Sequence, residues 1–171
     1  LGLITKYINA DISILDFLKN ANKFGHEIDA LIICYSHGYD RPFVEKLERE
    51  FSKTYLIKVN HSYDMERDLR KRGIRAKDFM PLIYAETLEK YGLLPYSTYR
   101  NTVLIKAMLL EMDALFFVDT DVYPLLLKPS HRKSNLPDYI SLKDTKELED
   151  YELEEIDFFE RHFKYLNQND V

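Results

Sequence analysis

Two aspartates two residues apart, Asp119 and Asp121, stand at the end of the apolar run Leu115 to Val118 (LFFV). Side chains alternate along extended backbone, so positions i and i+2 point the same way. Two carboxylates on one side of a strand end repel each other unless a cation sits between or beside them. Mn²⁺ or Mg²⁺, hard ions that prefer oxygen and share their coordination sphere with a substrate phosphate, answer that need. The chemistry indicated is a divalent metal holding a phosphorylated ligand. Its place would be beyond the carboxyl end of a strand, where open α/β sheets bind ligands. Asp is also common in turns, and the alternative is a solvated strand-to-loop turn without chemistry.

The surrounding elements must supply that strand and its sheet. Leu1 to Thr5 reads as a short buried strand. After it, Ser13-x-x-Asp16 has the pattern of a capping box, followed by Ile14, Leu15, Leu18, Ala21 and Phe24 on one helical face and Gly25 as a stop. Ala30 to Tyr35 (ALIICY) is a continuous apolar run bounded by Ser36, His37 and Gly38, which suits a parallel strand covered on both faces. Pro42 opens a helix carrying Val44, Leu47 and Phe51, and Tyr55 to Val59 is a third strand. This βαβ rhythm predicts an α/β fold, a mostly parallel sheet flanked by helices. Asn60 to Lys77 reads as irregular, Pro81 to Tyr91 and Ser97 to Glu111 as helices, and LFFV as the fourth strand. Lys128 to Leu142, with Pro129 and Pro137, reads as loop. Thr145 to Leu166 reads as one long helix with Leu148, Ile156, Phe159, Phe163 and Leu166 inward.

Composition narrows the function. At 171 residues the chain suits one domain, and 46% apolar against 31% charged residues excludes disorder throughout. Lys plus Arg total 24 against 29 Asp plus Glu, a net charge of -5, which argues against nucleic acid as a partner of the whole surface. Cys34 is the only cysteine, so an internal disulfide and a cysteine-rich zinc site are both ruled out. With no apolar run of membrane-spanning length and no visible signal peptide, a cytoplasmic location is expected.

Beyond the Asp pair, Tyr99-Arg100-Asn101, Ala107 and Phe116-Phe117-Val118-Asp119-Thr120-Asp121 form a longer pattern. It resembles the signature of nucleotide-sugar glycosyltransferases with the GT-A fold, in particular a divergent branch of family 2. There an Arg-Asn pair starts a helix, an Ala follows seven residues after the Arg, and an apolar strand runs into D-x-D. Thr5-Lys6-Tyr7 looks like that family's T-x-Y segment after the first strand. The resemblance covers residues 1–125 and implies a GT-A, Rossmann-like sheet in a single domain of minimal or truncated form. Residues 1–125 would be its nucleotide-sugar-binding half, and residues 126–171 a loop and amphipathic C-terminal helix. It implies that Thr5 and Tyr7 line a base pocket, with Tyr7 stacking, and that Arg100 lies near the nucleotide. Asp119 would contact the ribose or the metal, and Asp121 would bind the Mn²⁺ or Mg²⁺ bridging the diphosphate. The expected activity is transfer of a sugar from a UDP- or GDP-linked donor to a glycan, lipid or protein acceptor, as in polysaccharide biosynthesis.

The chain departs from the pattern in the distance from the Arg to D-x-D, about three residues longer here, and in two residue types. Family 2 members often carry an Asp just after the second strand, where Cys34-Tyr35-Ser36 falls here, and Val103 replaces a usual glycine of the Arg-Asn helix. The other readings are a non-catalytic nucleotide-sugar-binding domain and a haloacid-dehalogenase-like phosphatase, whose hhhDxD nucleophile motif F-F-V-D-T-D also fits. That motif normally lies on the first strand of its domain, and here it follows the fourth.

Weaker signals flank the pattern. Glu66 to Lys77 (ERDLRKRGIRAK) has six basic and two acidic residues. A solvated face is the simplest reading; a diphosphate, an anionic acceptor or an acidic membrane surface is the other. Asp144 to Glu160 holds nine acidic residues and one Lys, which reads as a solvated helical face. The Phe residues of that helix suit a core or a homodimer interface. Cys34 reads as a packed thiol. His131 is a candidate third metal ligand by the same resemblance, and no residue emerges as a catalytic base.

Overall fold

The structure, a computed structural model, describes residues 1–84, 96–129 and 151–168. The chain divides into two compact units, residues 1–15 with 28–122 and residues 16–27 with 123–171.

The first unit is built on a sheet of four strands among the described residues, β1 (Gly2–Ile8), β2 (Leu31–Tyr39), β3 (Thr54–Lys58) and β4 (Phe117–Val118). Their order is β3-β2-β1-β4, and every pairing is parallel. Leu3, Leu31 and Ile33 alternate with Ile4, Ile32 and Cys34, and both sets are buried, as a sheet covered on two faces requires. The expected α/β fold, a parallel sheet flanked by helices, is therefore what forms.

Helix α1 (Ile14–Phe24) carries the chain from β1 toward β2, and α2 (Arg41–Glu50) links β2 to β3 with Pro42 in its first turn. Gly25 ends α1 at φ +79°, and His26 N–H reaches the Ala21 carbonyl at 2.9 Å in a Schellman closure. Ser13, however, does not cap α1. Its N–H donates to the Thr120 carbonyl at 3.2 Å, and its hydroxyl turns to the carbonyls of Thr120 and Val122.

The stretch Asn60 to Lys77, expected to be irregular, contains helix α3 (Tyr63–Lys71) and the start of α4 (Ala76–Ile83). Its apolar stripe is narrow. Met65 and Leu69 of α3 and Phe79 and Ile83 of α4 form one buried cluster, flanked by Ile105 and Leu109. Pro81, expected to begin a helix running to Tyr91, lies inside α4, and residues 85–91 of that expected helix lie outside the described residues.

Helix α5 (Tyr96–Leu109) packs across β1 and β2. Tyr99, Val103 and Ala107, at four-residue spacing, bury against Ile4, Ile32, Cys34 and Val59. Gly2 shows how close that packing is: a Cβ there would lie 2.7 Å from Val103 Cγ1. The valine that stands where the resemblance expects glycine is met by a glycine on the strand.

The second unit contains an antiparallel pair, β5 (Leu125–Pro129) with β6 (Tyr151–Glu155), and helix α6 (Phe158–Gln168). This corrects the single long helix expected from Thr145 to Leu166. Tyr151-Glu152-Leu153-Glu154-Glu155 alternates with the period of a strand and finds a partner in Leu125–Pro129, which puts Lys128 and Pro129 in a strand rather than a loop. Asp157 then restarts the chain as a helix by accepting the Glu160 N–H at 2.9 Å. Residues 130–150, with His131 and most of the expected loop, lie outside the described residues. Phe17 and Phe158 rings meet edge-on at 5.0 Å, and His26 bonds Asp157 at 2.7 Å.

Candidate active site

Asp119 follows directly on β4, whose Phe117 and Val118 pair with Gly2 and Leu3. The Val122 N–H returns to the Asp119 carbonyl at 3.4 Å, closing a turn around Thr120 and Asp121. Ser13, buried at the far end of the β1–α1 connection, fastens that turn from the other side through its hydroxyl and N–H. The D-x-D segment is thus anchored at three points and its carboxylates are left exposed.

A cleft of about 480 Å³ opens at this end of the sheet, lined by Ile4, Thr5 and Lys6 of β1, Tyr96, Tyr99 and Arg100 of α5, and Asp119, Thr120 and Asp121. Four of the five residues expected at a site meet here: Thr5, Arg100, Asp119 and Asp121. Tyr7 is not on the cleft wall. It stands 46% exposed one residue beyond, its ring edge against the backbone of Gly38, where a Cβ would come within 3.1 Å of Tyr7 Cε2. The ladder explains this placement. Thr5 pairs with Tyr35 but Tyr7 pairs with Gly38, so β2 contributes one extra residue and a bulge forms at the mouth of the cleft.

The bulge also changes where β2 ends. Ser36, His37 and Gly38 read as a boundary, yet the strand passes through them to Tyr39, and Asp40 is the residue just after it. Asp40 N–H donates to the Ile8 carbonyl at 2.7 Å, which sets Asp40 beside the end of β1.

Arg100 and Asp119 face each other across the cleft, Nη2 to Oδ1, at 3.8 Å, with side chains 54% and 62% exposed. A pair so exposed and so long is weak. The Arg100 guanidinium carbon also lies 5.7 Å from the Phe117 ring centroid, over an aromatic face. Lys6, which has no ion-pair partner among the described residues, adds a second cation.

Among the described residues no three His, Cys, Asp or Glu side chains gather into a metal-binding group. Asp119 and Asp121 nonetheless fit the donor set of Mg²⁺ or Mn²⁺, which uses one or two carboxylates and completes its shell with water and substrate phosphate. They would supply half a site, and a phosphorylated ligand the remainder.

The basic stretch Glu66 to Lys77 does not line this cleft. Its cations are largely matched: Arg70 to Glu66 at 2.7 Å, Arg67 to Asp64 at 3.0 Å, Arg75 to Asp78 at 2.8 Å and Arg72 to Glu111 at 3.2 Å. The hydrogen bond from Arg70 holds the Glu66 carboxyl below its ordinary range. Cys34 is fully buried, and burial pushes its thiol up to about 12, against a smaller opposing effect of its hydrogen bond with Thr102. It is a packed thiol rather than a nucleophile.

Sequence reasoning missed Lys6, Tyr96 and Tyr99 as residues of the cleft wall. The spacing 96, 99, 100 is i, i+3, i+4, which places the three on one helical face and was a readable signal. Lys6 had none, because its place on the wall depends on the ladder irregularity beside it.

No family model matches the chain, and neither a curated protein nor a solved structure matches it. Among the described residues, no helix is long and apolar enough to cross a membrane.

Proposed function

We propose that the chain binds a nucleoside-diphosphate sugar with Mn²⁺ or Mg²⁺ in the cleft above β1 and β4 and transfers the sugar to an acceptor, as a glycosyltransferase of GT-A type. One observation carries the reading. Asp119 and Asp121 share a single cleft with Thr5 and Arg100 at the carboxyl end of a parallel sheet. Asp40 adds to it, because β2 ends at Tyr39 and is followed at once by an Asp, the residue that family 2 members often carry there.

In this reading Asp119 and Asp121 hold the divalent ion, and Arg100 and Lys6 face the diphosphate. Thr5, with Tyr7 just outside the cleft wall, and Asp40 border the base, which stacks on the exposed Tyr7 ring. The ion, when bound, supplies Lewis-acid neutralisation of the departing nucleoside diphosphate. The site lies in the cytoplasm, within reach of a glycan, lipid or protein acceptor.

The test is calorimetric titration of UDP, GDP, CDP and their common sugar conjugates, each with and without Mn²⁺, followed by a donor-hydrolysis assay. Metal-dependent binding of one nucleotide with slow donor hydrolysis supports the transferase. The same binding without any turnover, acceptors included, converts the reading to a nucleotide-sugar-binding domain. Absence of binding overturns it.

A further inference from the structure

Resting on the donor-site reading, we infer that Arg100 is an exchangeable counter-ion: it neutralises Asp119 while the cleft is empty and turns to the phosphates, beside Lys6, when a divalent cation takes the carboxylate. The cleft holds two fixed anions, Asp119 and Asp121, and two fixed cations, Lys6 and Arg100, so its own charges cancel. A net-neutral cleft attracts neither a metal ion nor a diphosphate strongly. Adding a doubly charged cation leaves the cleft at +2, the complement of a diphosphate.

The geometry suits exchange. At 3.8 Å the guanidinium and carboxylate attract each other without close hydrogen-bonded contact, and both are more than half exposed. Breaking such a pair is cheap. The Phe117 ring, 5.7 Å from the guanidinium, keeps Arg100 over the strand end after Asp119 is released. Arg rather than Lys is also the residue whose planar fork can bond two phosphate oxygens at once. Lys6 differs from Arg100 in one respect that the experiment can read. It has no carboxylate partner among the described residues, so it occupies no metal ligand and acts on the cation through repulsion only.

The consequence is a sign reversal. Arg100 opposes binding of the bare metal, by occupying Asp119 and by like-charge repulsion, yet favours binding of the metal together with the anion. The two ligands are therefore coupled, each raising the affinity of the other.

Calorimetric titration with Mn²⁺ alone, and with inorganic pyrophosphate at fixed Mn²⁺, tests this on wild type, Arg100→Met, Arg100→Lys and Lys6→Met. Arg100→Met should bind Mn²⁺ alone roughly threefold tighter and Mn²⁺-pyrophosphate roughly threefold weaker, effects sized for one partly screened charge. Lys6→Met should weaken the pyrophosphate step as Arg100→Met does, but tighten Mn²⁺ alone by less, because Lys6 acts on the metal through repulsion and does not occupy Asp119. Arg100→Lys keeps the charge and should lie between wild type and Arg100→Met in both titrations. Both positions are exposed, and unchanged thermal midpoints confirm intact folding. If wild type binds Mn²⁺-pyrophosphate and Arg100→Met moves both affinities in one direction, or leaves the Mn²⁺ affinity unchanged, the counter-ion exchange is overturned and the donor site stands. If wild type shows no Mn²⁺-dependent pyrophosphate binding, the donor site and the exchange fall together.

Discussion

Ser13 and Val122, 109 positions apart, are joined by a hydrogen bond in which the serine hydroxyl donates to the valine carbonyl. The same hydroxyl lies 3.2 Å from the Thr120 carbonyl, so its one proton serves two acceptors on either side of Asp121. The serine that reads as a helix cap instead holds the turn that presents the carboxylates. Ser13→Ala removes this restraint and leaves two buried-side carbonyls with one donor fewer. The expected cost is about 1 kcal/mol of stability, with a clear loss of Mn²⁺-dependent nucleotide affinity. Thermal melts and calorimetry on the same preparation check both, and an unchanged affinity would show that the turn holds itself.

Asp121 behaves differently because it fills no core. It is exposed in the turn after β4. Asp121→Ala should leave stability within about 0.5 kcal/mol of wild type and abolish Mn²⁺-dependent nucleotide binding. Retained metal-dependent affinity in this variant would remove the metal assignment.

Why the frame was readable and parts of the site were not follows from which forces each segment displays. Ala30 to Tyr35 announces a two-face-buried strand through composition alone, and the LFFV run does the same for β4. Its pairing shrank to Phe117 and Val118 because only Gly2 and Leu3 are opposite. Helix α3 was obscured because its stability shows in charges: Glu66–Arg70 and Asp64–Arg67 pair along it, while only Met65 and Leu69 bury. Strand β6 was hidden by its glutamates, which suggest a solvated helix until a partner strand is supplied by distant residues. The end of β2 was misplaced because Ser36-His37-Gly38 has turn composition. There the glycine answers a tertiary demand, the Tyr7 ring edge against its backbone, which no local pattern reveals.

Gly38 is therefore a positioning residue for Tyr7. Gly38→Val places its Cβ 3.1 Å from Tyr7 Cε2, and the ring, already 46% exposed, has room to swing outward. Stability should change little, whereas affinity for a nucleotide should fall several-fold and affinity for Mn²⁺-pyrophosphate should hold. Tyr7→Ala should reproduce the pattern. Equal losses for nucleotide and pyrophosphate would show that the substitution disturbs the whole cleft instead.

Cys34 offers an alkaline test of the core. Burial raises its thiol from an ordinary 9.0 to about 12, so the folded state keeps the proton that the unfolded chain gives up. The stability this confers is complete below about pH 9 and is lost as pH rises toward 12. A thiol reagent at pH 8 should label the native protein far more slowly than the unfolded chain. Cys34→Ala should flatten the decline of stability above pH 9, read from denaturant midpoints across pH. Fast native labelling would mean that β2 opens locally.

On the acid side Asp157, in the second unit, is one of the carboxylates held low in the folded protein, with Glu66 and Glu155. Burial works to raise its carboxyl, but the Glu160 amide, His26 and the Phe159 amide outweigh it and hold the group below its ordinary 3.8. A depressed carboxylate stabilises the fold above its unfolded value, and that contribution disappears as pH falls through the folded one. Asp157→Ala removes the cap of α6 and the partner of His26, for an expected cost of about 1 kcal/mol at neutral pH. The variant should also show a shallower loss of stability below pH 3.8 than wild type, because one of the groups that titrates there is gone. Denaturant midpoints from pH 2 to pH 7 make the comparison. Parallel curves for the two proteins would place the acid sensitivity on other carboxylates and leave Asp157 with the cap alone.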